Sequence, residues 1–184
     1  MCGFLNPTAW IGWNWFQMGH KEHKRAAPKK LRIAILTVST TRSLAEDKSG
    51  DWMRRQAQKE GHTVTSHQVV PDSQFEISQT VTDIVSDQAA DLLLINGGTG
   101  ISPSDVTIEA VKPLFRKELT AFSALFTQLS YEAIDSAAMV SRATAGVIEK
   151  TAVFCLPGSI NACKLACKAL IFPEAGHIAA HIKT

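Results

Sequence analysis

The sequence predicts an α/β fold: a three-layer α/β/α sandwich around a mostly parallel sheet. Three observations carry that expectation. "LRIAILTV" (31–38) and "DLLLIN" (91–96) are continuous apolar runs, as expected of strands covered on both faces. Segments of helical periodicity alternate with the strand-like ones, which implies parallel βαβ units. Finally, 184 residues with 45% hydrophobic and 20% charged side chains are ordinary for one soluble domain with a sizeable core.

The 31–38 strand opens the fold. "SGDWMRRQAQKEG" (49–61) follows as a helix closed by Gly61. "HTVTSHQVV" (62–70) alternates like a half-covered strand, and Pro71 stops it. Within 73–87, Ile77, Val81, Ile84 and Val85 fall on one helical face. The 91–96 strand comes next, then helical patterns over 107–115 and 125–134. "TAVFCLP" (151–157) is the fourth strand, ahead of a helix over about 161–171 that Pro173 is expected to break before a short terminal helix. No repeat or linker interrupts 31–184, so the one domain boundary is expected near residue 30.

Residues 1–30 differ in composition. "MCGFLNPTAWIGWNWFQ" (1–17) holds three of the four tryptophans and no charged side chain. It fits neither a secretory signal nor a span of about 20 apolar residues, and Met18 heads a segment that reads as a natural start. We expect a flexible extension or one not native to the fold. Residues 18–30 hold Lys21, Lys24, Arg25, Lys29 and Lys30 against Glu22 alone, +4 in a chain whose total is +2, which leaves −2 elsewhere. The basic balance therefore belongs to an arm; no nucleic-acid partner and no membrane are expected. Cys2, Cys155, Cys163 and Cys167 lack the spacing of a disulfide framework, which suits a reducing cytoplasm. Cys163/Cys167 and His177/His181 are spaced i, i+4, but with no complementary ligand pair they read as helix packing rather than zinc sites.

Each of the four strands runs into a polar or small turn: "TVSTT" (37–41), "VPDS" (70–73), "NGGTG" (96–100) and "LPGS" (156–159). In an open parallel sheet these ends share one edge, and ligands bind in the crevice outside it. Gly97, Gly98 and Gly100 can take positive φ and admit a ligand close to the backbone. Successive peptide N–H groups there would form an anion nest, with phosphate as the expected ligand; the alternative is a tight turn that binds nothing. No G-x-x-x-x-G-K-[ST] string exists, and Pro103 stands where a dinucleotide fingerprint needs its third glycine.

Asp105 has two readings. Ser102-Pro103-Ser104-Asp105 forms a capping box, with Ser102 as N-cap and Pro103 at N1. Alternatively Thr107 caps the helix and Asp105 lies free beside the glycines. A carboxylate beside a phosphate nest repels the anion unless a cation lies between them, which implies Mg²⁺. Asp72 poses the same choice, between an N-cap and a second oxygen ligand at the same edge. Gly158 permits close approach, and Ser159 is placed to cap the last long helix toward a ligand.

Together, "ILTVSTTR…DKSGD", "NGGTGISPSDVTIEA", "LSYEAIDSAAMVSRATAGV" and "FCLPGSINACKLA" resemble the MoaB/Mog family of molybdenum cofactor biosynthesis proteins, in order over roughly 31–172. "LSYEAI" and "SRATAGV" place the resemblance nearer the MoaB branch. It implies a molybdopterin-binding fold that assembles as a homotrimer or hexamer. It also implies Mg²⁺- and ATP-dependent adenylylation of molybdopterin with release of pyrophosphate, or, as the alternative, a non-catalytic pterin or nucleotide binder of the same pathway. By the same resemblance Gly97, Gly98, Thr99 and Gly100 would contact phosphate, and Asp72 and Asp105 would be the catalytic and metal-binding acids. Ser39, Ser141, Pro157, Gly158 and Ser159 would line the same pocket. The chain departs from active relatives at Ser104, where they usually have arginine, and at Thr40, where they usually have aspartate. Thr120, Ala121, Ser123, Ala124 and Thr127 replace a "PGFGE…R" segment. Loss of those arginines would remove charge-assisted contacts of roughly 1.5–3 kcal/mol each.

Overall fold

The structure, a computed structural model, describes residues 27–87 and 90–183. The expectation for residues 1–17 lies outside the described residues. Six strands form one sheet in the order β2-β1-β3-β6-β5-β4, where β1 is Arg32–Val38, β2 Thr63–Val70, β3 Leu92–Asn96, β4 Lys117–Glu118, β5 Thr144–Ile148 and β6 Thr151–Leu156. β1, β2, β3 and β6 run parallel, while β5 and the two-residue β4 run antiparallel at one edge. The register brings Val38 opposite Val70, Thr37 opposite Asn96, and Asn96 opposite Leu156. Four chain exits therefore sit at one edge.

Helices cover both faces. On one, Ile33, Ile35, Leu92, Leu94 and Phe154 pack against α1 (Lys48–Lys59), α4 (Thr120–Ile134), α5 (Ile160–Ala166) and α6 (Phe172–Lys183). On the other, Ala34, Leu36, Leu93, Ile95 and Val153 meet α2 (Gln74–Ser86) and the short α3 (Thr107–Val111). The central strands read as unbroken apolar runs because alternate side chains enter two different cores. Full burial of one such side chain stabilises by about 1.5–3 kcal/mol, well above the few tenths that separate helix propensities.

Local signals start and stop most elements where expected. Asp47 caps α1 by accepting from the Gly50 amide at 2.9 Å, and Gly61 ends it at φ +88°. Ser73 caps α2, whose buried residues are Ile77, Val81, Ile84 and Val85. One expectation is corrected. Pro173 does not break the last helix: α5 runs through a π-helical turn, Cys167–Ile171, straight into α6. There the Phe172 amide bonds back to the Cys167 carbonyl, so the turn widens just where proline lacks a donor and crowds the preceding turn. β5 was not expected either; its turn to β6 is made by Glu149 at φ 48° and Lys150, with none of the Gly or Asn that usually marks a hairpin.

Candidate active site

Four strand ends build one cavity of about 430 Å³. β1 supplies Val38, Ser39 and Arg42; β2, Asp72; β3, the Gly97–Gly100 turn and Asp105; β6, Pro157, Gly158 and Ser159. Val140 and Ser141 close it from the segment before β5. Every residue predicted for the site lines this cavity.

The glycine turn is held by contacts that only glycine permits. Gly97 has φ +98°, and a Cβ there would strike the Val38 carbonyl oxygen. A Cβ on Gly158 would lie 3.2 Å from the Gly97 Cα, so the β3 and β6 exits touch backbone to backbone. The Gly97 amide donates to the Leu156 carbonyl at 3.1 Å, and Thr107 returns its hydroxyl to the Gly97 carbonyl at 2.8 Å. Ser49 Oγ donates to the Gly158 carbonyl at 2.9 Å. The amides of Gly98, Thr99, Gly100 and Ile101 have no acceptor among the described residues. The Thr99 hydroxyl, buried in the same wall, has no partner either. Such a run of unpaired donors suits an anion.

Both aspartates are positioned by short hydrogen bonds, and neither caps a helix. Ser73, one residue on, caps α2. Asp72 Oδ2 instead accepts from the Thr40 amide at 2.7 Å and the Thr40 hydroxyl at 2.8 Å, and the Asp72 amide donates back to that hydroxyl at 3.1 Å. Asp72 Oδ1 lies 3.2 Å from where a Cβ on Gly98 would stand. Of the two readings of Asp105, the capping box does not form. Ser102 to Asp105 is a turn closed on itself, with Ser102 N–H to Asp105 Oδ2 at 2.8 Å and Asp105 N–H to the Ser102 carbonyl at 2.9 Å. α3 begins only at Thr107, with Val106 rather than Thr107 at the N-cap position. Asp105 thus stays in the loop beside Gly100, whose Cβ would sit 2.7 Å from Asp105 Oδ2.

Beneath the edge lies a buried polar chain. Asn96 Nδ2 donates to Thr37 Oγ1 at 2.7 Å, Thr37 donates to Asp47, and His67 Nε2 meets Asp47 Oδ2 at 2.8 Å. Burial acts to raise the Asp47 carboxyl, but hydrogen bonds from His67, Thr37 and the Gly50 amide outweigh it and hold it below the usual range.

The other ligand candidates fall elsewhere. Cys163 and Cys167 are buried, and desolvation pushes the Cys163 thiol up to about 12 and raises Cys167 as well. His177 and His181 face one another on α6, with Nε2 atoms 2.9 Å apart. Among the described residues no group of three His, Cys, Asp or Glu side chains could hold a metal ion. Nor is any helix of the described residues long and apolar enough to cross a membrane. Thr120, Ala121, Ser123, Ala124 and Thr127 do not line the cavity; they lie on α4, where Thr120, Ala121, Ala124 and Thr127 are exposed.

Sequence reasoning left out three lining residues, Val38, Arg42 and Val140. Arg42 was within reach of the strand-end rule, since it closes the β1 exit. It also left out Arg142, which backs the glycine turn. Its Nε donates to the Thr99 and Gly100 carbonyls, both at 2.9 Å, and its Nη1 donates to Glu109 Oε1 at 2.6 Å. Separated from Thr99 by 43 positions, it had no local signal.

Comparison with known proteins accords with this geometry. The family described as "Probable molybdopterin binding domain" matches residues 34–177. Molybdenum cofactor biosynthesis protein B of Bacillus subtilis is 47% identical over 167 residues, covering 90% of this chain and 98% of that protein. The chain belongs to the MoaB/Mog family. Molybdopterin adenylyltransferase of Pyrococcus furiosus is 39% identical to this MoaB/Mog chain over 172 residues, covering 90% of it and 99% of the relative. A crystal structure of a molybdenum cofactor biosynthesis protein B superposes with a TM-score of 0.82 at 45% identity, covering 85% of this chain and 98% of the other. The mostly parallel sheet is thus the MoaB/Mog fold.

Proposed function

We propose that this protein acts in molybdenum cofactor biosynthesis as a molybdopterin adenylyltransferase. One observation carries the proposal: a single cavity holds a run of unpaired peptide donors between two carboxylates, Asp72 and Asp105. The relatives named molybdopterin adenylyltransferase support it. In the reaction a phosphate oxygen of molybdopterin attacks the α-phosphorus of ATP. A P–O–P bond forms, the α–β bridging bond breaks, and pyrophosphate leaves. No side chain need become covalently attached, so the protein's part is positioning and charge neutralisation.

Roles follow from placement. The amides of Gly98, Thr99, Gly100 and Ile101, with the Thr99 hydroxyl, would bind phosphate oxygens, and Arg42 would offset their charge. Ser39, Ser141, Pro157, Gly158 and Ser159 would shape the remaining wall. The residues fit Mg²⁺: Asp72 and Asp105 each commit Oδ2 to a neighbouring donor and leave Oδ1 without a partner among the described residues. Two carboxylates alone suit an ion that takes its other ligands from phosphates and water. Mg²⁺ held there would neutralise charge on the transferring phosphate.

Incubating the protein with molybdopterin, ATP and Mg²⁺ should release pyrophosphate and form adenylylated molybdopterin. The second reading, a non-catalytic binder, draws on Ser104, which supplies no guanidinium to the cavity. Molybdopterin binding with no adenylylated product would establish that reading over the first. A homotrimer or hexamer belongs to the same proposal. Leu125, Tyr131, Ile134, Met139 and Val140 expose apolar surface along α4 and the turn after it, and Val140 also lines the cavity. Light scattering should give three or six times the chain mass; a monomer at micromolar concentration would exclude the assembly.

A further inference from the structure

Arginines in phosphate sites usually meet the anion directly, but Arg142 is committed elsewhere. Nε is shared between two successive carbonyl oxygens, those of Thr99 and Gly100, at 2.9 Å each. Nη1 and Nη2 grip the Glu109 carboxylate on α3 at 2.6 and 3.3 Å. This grip holds the Glu109 carboxyl below its ordinary range. All three guanidinium nitrogens therefore face protein acceptors.

Peptide planarity gives this arrangement a consequence. In a trans peptide the carbonyl and the following N–H point in opposite directions, and the described chain contains no cis bond. Anchoring the Thr99 carbonyl sets the Gly100 N–H, and anchoring the Gly100 carbonyl sets the Ile101 N–H. Neither amide has an acceptor among the described residues. A flexible glycine turn would otherwise have to lose conformational freedom as the ligand arrives, which weakens binding.

We propose that Arg142, braced by Glu109, is the positioning residue of this site: it ties back two carbonyls of the glycine turn so that the Gly100 and Ile101 amides are preset to receive a phosphate group. The inference rests on the phosphate reading of the cavity given above. Arg142 touches the turn rather than the ligand, so its effect passes through backbone geometry.

Amide NMR on the full chain, titrated with inorganic pyrophosphate in the presence of Mg²⁺, tests it without relying on turnover. In the unmodified protein the Gly100 and Ile101 amide resonances should shift on binding. Arg142→Lys keeps the charge but cannot span two carbonyls and a carboxylate, and should weaken binding about tenfold with those two shifts lost. Glu109→Gln touches neither turn nor ligand, yet should weaken binding about threefold. The double variant should be no weaker than Arg142→Lys alone, because both changes act on one brace. If Arg142→Lys fails to fold, the Glu109→Gln titration decides alone. Binding and shifts unchanged in Glu109→Gln would overturn the inference and leave the phosphate reading intact. In the unmodified protein, shifts confined to the Gly98 and Thr99 amides would overturn the inference alone, and no response of any of the four turn amides would overturn the phosphate reading and the inference with it.

Discussion

The side chains around the cavity are held by contacts too small to stabilise the fold but well suited to aim a carboxylate. Thr40 shows this most clearly. Its hydroxyl and amide hold Asp72 Oδ2 and leave Oδ1 on the glycine side. Thr40→Val should lower kcat about five- to tenfold, the equivalent of one lost positioning bond of about 1 kcal/mol, with Thr40→Ser near the unmodified rate. Comparable losses in both variants would show that the hydroxyl is not what matters. Asp105→Asn keeps an acceptor for the Ser102 amide in an exposed turn. The melting temperature should therefore change by no more than about 2 °C while Mg²⁺-dependent pyrophosphate release disappears. A large drop in melting temperature would instead make Asp105 a structural residue.

Among the elements, α1 links site and core. Its N-cap, Asp47, also accepts from Thr37 on β1 and pairs with His67 on β2, and Thr37 in turn receives Asn96 at the end of β3. One carboxylate thus ties β1 to β2 directly and reaches β3 through Thr37. Asp47→Ala leaves His67, Thr37 and the Gly50 amide without their acceptor, and should cost about 3–5 kcal/mol in urea denaturation. A loss below about 1 kcal/mol would show that the chain re-forms with water. The last helix follows the same logic in apolar terms: Cys163, Ala166, Cys167, Ile171, Ala175 and Ala179 are all buried, so continuous packing carries the rod past Pro173.

Across the whole molecule the two sheet edges divide the work. The edge at the strand C-termini collects turns, unpaired donors and acids. At the opposite edge, Asp91 just before β3 accepts from the Arg32 amide at 2.8 Å and lies 2.9 Å from Lys183 at the end of α6. Burial acts to raise this carboxyl, but hydrogen bonds from the Arg32 side chain and amide and from Lys183 hold it at about 2. Because the folded value lies below the unfolded one, the clamp contributes fully above about pH 4 to 5 and is lost as pH falls toward 2. Asp91→Asn should therefore cost on the order of 2 kcal/mol in urea unfolding at pH 7 and little below about pH 1.5. An equal cost at both values would mean that the charge is irrelevant.

Local pattern was sufficient for the parallel strands, α1, α2 and the glycine turn, because each signal lies within a few residues. Unbroken apolar runs demand cover on two faces, a 3.6-residue stripe demands one, and a turn after a strand needs residues that permit it. The parallel order of those elements then brought the predicted site residues to one edge. The β5–β6 hairpin, the unbroken passage through Pro173 and the loop placement of Asp105 were decided by packing. A Glu-Lys turn carries no hairpin signal, a π turn answers to the core it serves, and Ser-Pro-Ser-Asp is equally a cap or a closed turn until something adjoins it. Arg142 and the Asn96–Thr37–Asp47–His67 chain belong wholly to the folded state, since such contacts join positions 10 to 59 apart in the chain, or 43 for Arg142 and Thr99. Sequence spacing encodes what neighbours along the chain do to each other; only the fold determines which distant groups share a cavity wall.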